Sequence, residues 1–268
     1  MILSRKIIFI LIPVIAILDL FIFYQIWRLP KKVSAGPPKE IKVAGKVKVK
    51  YPQDFTIVMV GDSMTEYLGN SDEIRANLKK YYPDKSVEVL NYGFGSTNIL
   101  SLQERLEKKT FFNREFRPIL DIDFDLILIE SFGNNPLSQF PLSEGLQKQN
   151  EALDKIVESI KSGNPRAKIA FVATIAPNKW KYGEGTVTLN PEQKSQWVTE
   201  RVAYIKNHME YAKTHGIPLI DVFDKSVDKN GDGNLIYLNA ADYIHPSPSG
   251  VVFISQIIAD SIFQQKIF

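Results

Sequence analysis

The sequence predicts one α/β domain, over residues 55–268, in which helices cover both faces of a parallel β-sheet. Two observations predict this fold class. Short runs of β-forming residues alternate with longer helical stretches, as in strands joined by helical crossovers. Most of the short runs are continuously apolar, as expected of strands that are buried on both faces. We therefore expect three layers, with the sheet in the middle.

Five segments have the composition of buried strands. They are FTIVMV (55–60), SVEVLN (86–91), FDLILIE (124–130), KIAFVAT (168–174) and IPLIDVF (217–223). Ligands of open parallel sheets bind outside the carboxyl ends of the strands. The residues that directly follow each strand are therefore the first candidates for a functional site.

Four helices are expected between and after these strands. The first follows Ser71, which suits an N-cap, and it has acidic residues in its first turn. The second, over residues 143–163, carries one apolar stripe and ends in Gly163. The others run from about Pro191 to His215 and from about Ser249 to Gln264.

A candidate membrane anchor precedes the domain. After a tail of residues 1–6, the segment 7–27 is 21 residues of nearly unbroken apolar sequence, long enough to span a bilayer. Asp19 near its middle costs about 2.5–3.5 kcal/mol on insertion, whereas the 15 Leu, Ile, Val and Phe residues each gain about 0.3–0.6 kcal/mol. We therefore expect a single-pass signal anchor, with the domain on the extracytoplasmic side.

A cleaved signal peptide is the alternative, because VSAG at Val33–Gly36 resembles a cleavage site and would release a secreted protein near Ala35. The apolar region of a signal peptide is about 7–15 residues, so the longer segment here favours the uncleaved anchor. Residues 28–54 combine Pro, Gly and Lys and predict a tether between anchor and domain. Its lysines either contact anionic headgroups or are merely solvated.

Composition excludes several classes of function. Residues 1–50 hold 10 Lys/Arg and 2 Asp/Glu (net +8), whereas residues 51–268 hold 23 and 28 (net −5). The domain is therefore mildly acidic and offers no basic face for nucleic acid. The chain has no cysteine, which excludes disulfides and thiolate metal sites. Oligomeric state is left open.

Four polar blocks stand at or after predicted strands or before the last helix. They are GDSMT (Gly61–Thr65), NYGFGSTN (Asn91–Asn98), SFGNNP (Ser131–Pro136) and DYIHPSPSG (Asp242–Gly250). Each block alone is typical of an ordinary turn, loop or helix cap. Together they contain the parts of a site for acyl transfer, at places that can converge.

The chemistry assigns a role to each part. Ser63 stands where a strand gives way to a helix, and its hydroxyl needs a base because it is a weak nucleophile by itself. His245 is the natural base, and Asp242, three residues earlier, can orient its ring. The Ser63 N–H, a glycine N–H of the second block and the Asn135 amide are candidate donors to an oxyanion.

These blocks, in this order, resemble those of the SGNH (GDSL) hydrolases over residues 55–268. The resemblance implies a flavodoxin-like three-layer α/β/α fold and a serine esterase without a cofactor. It implies Ser63 as nucleophile and first oxyanion donor, Gly95 as second donor and Asn135 as third. His245 would be the base and Asp242 its orienting carboxylate.

The sequence departs from the family pattern in two places. Pro136 stands where the family usually has Asp, so that Asn134 competes with Asn135; the latter is preferred because it completes G-x-N with Gly133. The second block is one residue short before its donor glycine, so that Ser96 is an alternative to Gly95.

The expected function is hydrolysis of carboxylic esters outside the cytoplasm, with O-acetyl groups of an envelope glycan as the favoured substrate. This choice of substrate follows from location and family analogy alone. Lysophospholipids, short acyl esters and acyl transfer would use the same residues. A catalytically weak domain that binds a glycan or a protein partner is the alternative from another class.

Other features have weaker functional interpretations. Asp228, Asn230 and Asp232 imitate a calcium loop, but Asn239 occupies the place of its bidentate Glu, and no metal site is predicted. Trp180 and Tyr182, in the long connection 176–193, either contact substrate or pack the loop down. His208 is expected on the polar part of a helix and His215 at its end, both in structural roles.

Overall fold

The computed structural model describes residues 48–267, which form the expected α/β fold. A parallel sheet of five strands lies at its centre: β1 (Phe55–Gly61), β2 (Val87–Gly93), β5 (Leu126–Glu130), β6 (Lys168–Ala173) and β7 (Leu219–Asp221). Their order across the sheet is β2-β1-β5-β6-β7. Counted along the chain within this sheet, that is 2-1-3-4-5, the flavodoxin-like order.

Helices cover both faces of the sheet, so the prediction of three layers is confirmed. Against one face lie α2 (Asp72–Tyr81) and α6 (Pro248–Gln264), which share a core with Ile57, Met59 and Leu128. Against the other lie α3 (Leu102–Glu107), α4 (Leu142–Gly163) and α5 (Pro191–Thr214), around a core that includes Val58, Ile127 and Ile129. Alternate residues of each strand therefore serve the two faces, as the pleat requires.

Smaller elements complete the fold. The one-turn helix α1 (Ser63–Glu66) follows β1, and strands β3 (Thr110–Phe112) and β4 (Arg114–Phe116) form a short antiparallel hairpin. Four 3₁₀ turns lie at Ile99–Ser101, Ile119–Asp121, Asp224–Ser226 and Leu235–Tyr237. The sequence analysis did not predict the hairpin, because its two strands have only three residues each.

Ser71 does not cap helix α2 in the way that its residue type suggests. It occupies the N-cap position, but its φ is 60° and its side chain makes no capping hydrogen bond. The backbone therefore enters the helix from the left-handed region. The buried Ser71 Oγ has no hydrogen-bond partner among residues 48–267.

His208 is buried, so its predicted position on a polar helix face is wrong. Its ring is fully covered, stacks on Phe171 with 4.2 Å between ring centroids, and places Nε2 3.1 Å from the Ile129 carbonyl oxygen. That carbonyl can only accept, so Nε2 carries the proton. Burial lowers the pKa of His208 to about 3. His215 lies at the C-cap of α5, as expected.

Residues 48–54 are the part of the predicted tether that the structure describes, and they contact the domain. Val49 exchanges two backbone hydrogen bonds with residues 121 and 123, at 2.8 and 2.9 Å, and Lys48 Nζ donates to the Gly163 carbonyl at 2.6 Å. The proposed anchor at 7–27 and most of the tether lie outside the described residues. Within residues 48–267, no helix has the length and apolar character to cross a membrane.

Candidate active site

Ser63 lies where strand β1 ends and helix α1 begins. Asp62 is the N-cap of this helix, and its Oδ1 accepts a hydrogen bond from the Met64 N–H at 2.8 Å. The helix is a single turn and ends at Glu66. The turn presents Ser63 at the carboxyl end of the sheet while Met64 and Thr65 point into the protein interior.

Ser63, His245 and Asp242 are joined by two hydrogen bonds. His245 Nε2 lies 2.9 Å from Ser63 Oγ, and His245 Nδ1 lies 2.8 Å from Asp242 Oδ2. A carboxylate only accepts, so Nδ1 carries the proton and the Nε2 lone pair faces the serine hydroxyl. In this tautomer the imidazole can take the hydroxyl proton.

The turn Asp242–His245 holds its own side chains in place. Asp242 Oδ1 accepts hydrogen bonds from the backbone N–H groups of Ile244 at 2.8 Å and His245 at 3.0 Å. Burial raises the pKa of Asp242, but the hydrogen bonds from the His245 side chain and from these two backbone groups outweigh it. The pKa of Asp242 therefore lies below its ordinary value. Asp242 is thus ionised at neutral pH.

The second block lies beside Ser63. A methyl group built on Gly95 would come within 3.7 Å of Ser63 Cβ, 2.6 Å of Glu66 Oε2 and 3.7 Å of Phe112 Cζ. The backbone of Gly95 therefore packs closely against the start of helix α1. Ser96, the alternative donor, follows it with a φ of 58°.

Asn135, not Asn134, approaches the serine turn. Its Nδ2 donates to Asp62 Oδ2 at 2.9 Å, which leaves its second amide N–H without a partner among residues 48–267. Asn134 is buried, and its Oδ1 accepts a hydrogen bond from the Tyr182 hydroxyl at 3.2 Å. Of the two asparagines that the sequence left as candidates, Asn135 is therefore the one whose amide lies beside the serine turn.

Three loops of the site contain strained backbone. Ser96, Phe132 and Tyr243 have φ values of 58°, 53° and 50°, in the left-handed region that residues with a Cβ rarely adopt. They belong to the second, third and fourth blocks. Such residues persist where the surrounding structure fixes them, and they concentrate at functional sites.

A buried charged cluster beneath the serine turn escaped the sequence analysis. Glu130 lies at the end of β5. Its Oε2 accepts a hydrogen bond from the Asp62 backbone N–H, with 3.4 Å between nitrogen and oxygen. Its Oε1 accepts a hydrogen bond from the Ser131 hydroxyl at 2.6 Å. Burial raises the pKa of Glu130 well above its ordinary value, and the Asp62 carboxylate raises it further. Burial likewise raises the pKa of Asp62.

Arg105 of helix α3 faces these two carboxyl groups from the interior. Its Nη1 donates to the carbonyls of Gly61 at 2.9 Å and Tyr92 at 3.0 Å, so it joins the ends of β1 and β2. Burial lowers the pKa of Arg105 to about 10, against the opposing effect of Asp62 and Glu130. An arginine on a helix gives no sequence signal of such a role.

Tyr67, directly after helix α1, stacks on His245. The ring centroids are 4.2 Å apart and the planes differ by 3°. Tyr67 is 43% exposed and covers one face of the imidazole. Tyr67 was not predicted from the sequence, because its only signal is the position four residues after Ser63.

The two aromatic residues of the long connection differ in position. Tyr182 is 2% exposed, and its hydroxyl accepts a hydrogen bond from Arg201 Nε at 2.6 Å, so it packs the loop down. Trp180 is 65% exposed and lies under Lys179 Nζ at 5.1 Å from its ring centroid. Tyr182 therefore packs the loop against the domain, which is one of the two interpretations given for these residues. For Trp180, contact with substrate stays a prediction.

The loop that imitates a calcium site uses its side chains internally. Asp228 Oδ1 accepts from the backbone N–H groups of Asn230 at 2.8 Å and Asp232 at 3.2 Å. Asp232 forms an ion pair with Lys179 at 3.5 Å. Within residues 48–267 no three His, Asp or Glu side chains are grouped so that they could hold a metal ion.

A serine hydrogen-bonded to a histidine, which is hydrogen-bonded to a buried aspartate, at the carboxyl end of a parallel sheet, is an arrangement of the serine hydrolases. Residues 59–251 match the family described as GDSL-like lipase/acylhydrolase. The chain therefore belongs to that family and is an ester hydrolase of the SGNH (GDSL) type. No curated protein matches the sequence.

Solved structures share the fold at low sequence identity. The lipase/acylhydrolase from Enterococcus faecalis is 19% identical, with a TM-score of 0.57 over 79% of this chain and 96% of that one. A GDSL-like lipase from Bacteroides thetaiotaomicron is 14% identical, with a TM-score of 0.53 over 78% and 88%. The acetyl xylan esterase AlAXEase is 14% identical, with a TM-score of 0.53 over 78% and 98%.

Proposed function

We propose that this hydrolase cleaves carboxylic esters through a triad of Ser63, His245 and Asp242. The observation that carries the proposal is the pair of hydrogen bonds, 2.9 Å and 2.8 Å long, that joins the three side chains. In the first step His245 Nε2 takes the Ser63 proton as Oγ attacks the ester carbonyl. Asp242 keeps the ring oriented and stabilises the imidazolium that forms.

The tetrahedral intermediate then collapses. The imidazolium gives its proton to the departing alkoxide, so the alcohol leaves and an acyl group remains on Ser63 Oγ. Water, deprotonated by the same Nε2, attacks this acyl-enzyme; the bond from the acyl carbon to Ser63 Oγ then breaks, Oγ takes the proton back from the imidazolium, and the carboxylic acid leaves. Transfer to another alcohol instead of water would need the same residues, so hydrolysis and acyl transfer share this site.

We assign the oxyanion to donors from three blocks. The Ser63 N–H and the Gly95 N–H belong to two chain segments that pack against each other, and the Asn135 amide has one N–H to spare. Asp62 supports this assignment, because its carboxylate holds Asn135 at 2.9 Å while its backbone continues into Ser63. Loss of one such donor lowers kcat by about 10²–10³-fold.

The location and the substrate are also proposals. The apolar segment 7–27 supports a membrane-anchored enzyme with its domain outside the cytoplasm. O-acetyl groups of an envelope glycan suit that location, and one structural neighbour is an acetyl xylan esterase. Lysophospholipids are the alternative substrate, in line with the neighbours that are lipases.

Labelling with a fluorophosphonate tests the triad directly. We expect one adduct on the full-length protein, located on Ser63 by mass spectrometry, because only a serine activated by a base reacts readily. The variant His245→Ala should lose the adduct, since Ser63 then has no base. The variant His215→Ala, altered at a histidine far from Ser63 in sequence, is the matched control and should label normally.

Labelling of Ser63 that persists in His245→Ala would contradict the assignment of the base. An unlabelled wild-type protein with a native circular dichroism spectrum would contradict the assignment of the nucleophile. That second result would move a domain that binds a glycan or a partner without catalysis to first place.

A further inference from the structure

A groove of about 520 Å³ runs along the free edge of strand β2. Strand β2 is at the edge of the five-stranded sheet, and the β3–β4 hairpin and the start of helix α2 form the walls of the groove. Its volume is in the range of small-molecule sites, about 300–1,000 Å³. We call it the edge groove.

The edge groove begins beside the proposed nucleophile. Glu66, Gly93 and Phe112 line the groove near the carboxyl end of β2. Glu66 is three residues after Ser63 in helix α1, and its Oε2 faces Gly95, the glycine that packs on Ser63. Phe112 contacts the same glycine from the hairpin. The segments that pack beside Ser63 therefore also form this end of the groove.

The lining of the edge groove is partly polar and carries both signs of charge. The charged side chains that line it are Glu66, Asp72, Glu88, Arg75 and Arg114, and Asp72 already accepts a hydrogen bond from Arg75. These groups offer hydrogen-bond donors and acceptors in about equal supply. A hydroxyl group both donates and accepts, so a ligand rich in hydroxyl groups can use all of them.

One wall of the groove is aromatic. Phe112 stacks on Phe94 with 4.8 Å between ring centroids, which fixes the orientation of its ring. Phe94 in turn lies 4.7 Å from the Arg105 guanidinium in the buried cluster. A ring held in this way gives a flat apolar surface for the C–H face of a sugar, at little cost in side-chain entropy.

We propose that the edge groove binds the alcohol part of the ester, and that this part is a carbohydrate. The inference rests on the proposed function, because it places the ester at Ser63. An acyl chain is a poor occupant, since it would desolvate the charged side chains without offering them hydrogen bonds. A sugar satisfies those side chains with its hydroxyl groups and covers Phe112 with its C–H face.

Three kinds of substrate test this inference on the full-length protein. They are chemically O-acetylated xylo- and chito-oligosaccharides, lysophosphatidylcholine and 4-nitrophenyl acetate, which has no sugar. We expect hydrolysis of the acetylated oligosaccharides to exceed that of the lysophospholipid in kcat/KM. The variant Phe112→Leu should lower the ratio of kcat/KM for the oligosaccharides to that for the nitrophenyl ester by about three- to tenfold.

Phe111→Leu is the matched control. Phe111 is the neighbouring phenylalanine of the same hairpin, but it is 80% exposed and does not line the groove. Its substitution should leave the ratio as in the wild type. The isosteric variant Glu66→Gln removes one charge from the groove and should also lower the ratio.

The outcomes separate the inference from the proposed function. Faster hydrolysis of lysophosphatidylcholine than of the acetylated oligosaccharides would overturn the inference. So would equal losses on both acetyl substrates in Phe112→Leu, because they would show a purely structural role. In both cases the triad would stand, and Ser63 would still be labelled by a fluorophosphonate. An unlabelled Ser63 with no hydrolysis of any ester would instead refute the proposed function.

Discussion

Tyr67 covers one face of the His245 imidazole, with the two rings nearly parallel. In the proposed mechanism the imidazole becomes a cation when it takes the Ser63 proton. An aromatic face stabilises a nearby cation by about 0.5–1 kcal/mol at an exposed site and by about 2 kcal/mol when it is desolvated. We infer that Tyr67 positions His245 and stabilises its charged form.

Replacement of Tyr67 should therefore change kcat more than KM. We expect Tyr67→Leu to lower kcat for a small aryl acetate by about two- to tenfold, because the aromatic face is lost, while KM stays within about twofold. Tyr67→Phe keeps the face and should retain most of the rate. Steady-state kinetics of the two variants check this. Equal losses in both, or a change confined to KM, would contradict it.

At the level of single residues, the sequence predicted the members of the proposed triad, because each of them stands in a recognisable block. Ser63, Asp242 and His245 are joined by hydrogen bonds as expected. Residues that act through a neighbour were missed, such as Tyr67 and Arg105. Their roles depend on the folded positions of segments that are remote in sequence, and a tyrosine or an arginine in a helix has no local signal of such a contact.

The contact between helix α1 and strand β2 positions Ser63, the proposed nucleophile. Asn91 of β2 donates through Nδ2 to the carbonyls of Thr65 at 2.8 Å and Gly69 at 2.9 Å. A Cβ on Gly93 would lie 2.2 Å from the Glu66 N and 2.6 Å from the Thr65 carbonyl carbon. Only a glycine allows helix α1 to lie this close to the strand.

Gly93→Ala should therefore move helix α1 and impair catalysis. We expect a loss of about 1–3 kcal/mol in the free energy of unfolding, typical of overpacking, and a fall of at least about tenfold in kcat/KM. Urea denaturation and ester hydrolysis measure the two effects. The control Gly216→Ala also loses stability, because its φ is +62°, but it has open space around it and should keep its activity. Full activity in Gly93→Ala would contradict the proposed contact.

Helix α5 buries a histidine against the sheet, and this makes stability depend on pH. His208 stays neutral in the folded protein because burial lowers its pKa to about 3 from an ordinary value of 6.5. Between those two pH values the unfolded chain binds a proton at this site and the folded protein does not. The free energy of unfolding therefore falls as the pH decreases from 6.5 towards 3, by up to about 1.4 kcal/mol per pH unit.

His208→Gln should remove this contribution, because glutamine keeps an N–H donor for the Ile129 carbonyl but does not titrate. We expect the variant to be less stable near neutral pH, since the packing on Phe171 is lost. Its free energy of unfolding should depend less steeply on pH between 6.5 and 4. Urea denaturation at several pH values measures the slope. An unchanged slope would contradict a neutral buried His208.

For the whole molecule, the sequence predicted the class of fold and the five strands of the sheet. The alternation of buried strands and amphipathic helices carries that information. It did not predict the β3–β4 hairpin or the shortening of β7 to Leu219–Asp221, because strands of three residues have no periodicity to detect. The groove follows from the hairpin, so it was also beyond sequence analysis.

The site depends on the domain as a whole, because Ser63 and His245 are 182 positions apart. We expect fluorophosphonate labelling of Ser63 to disappear in urea together with the far-ultraviolet circular dichroism signal, since the contact needs both ends of the domain. Parallel titrations of the two signals check this. Labelling that is lost well before the global transition would show that the turn Asp242–His245 opens independently.

The same separation determines when the protein gains its reactivity during synthesis. Ser63 is made first, and at about 5–20 residues per second the ribosome needs roughly 10–35 s to add the 182 positions up to His245. During that interval the proposed nucleophile has no base, so we expect its hydroxyl to be inert. With the proposed triad, a nascent chain should therefore not attack the esters that it meets, and its reactivity should begin only after the last part of the domain has been made and folded.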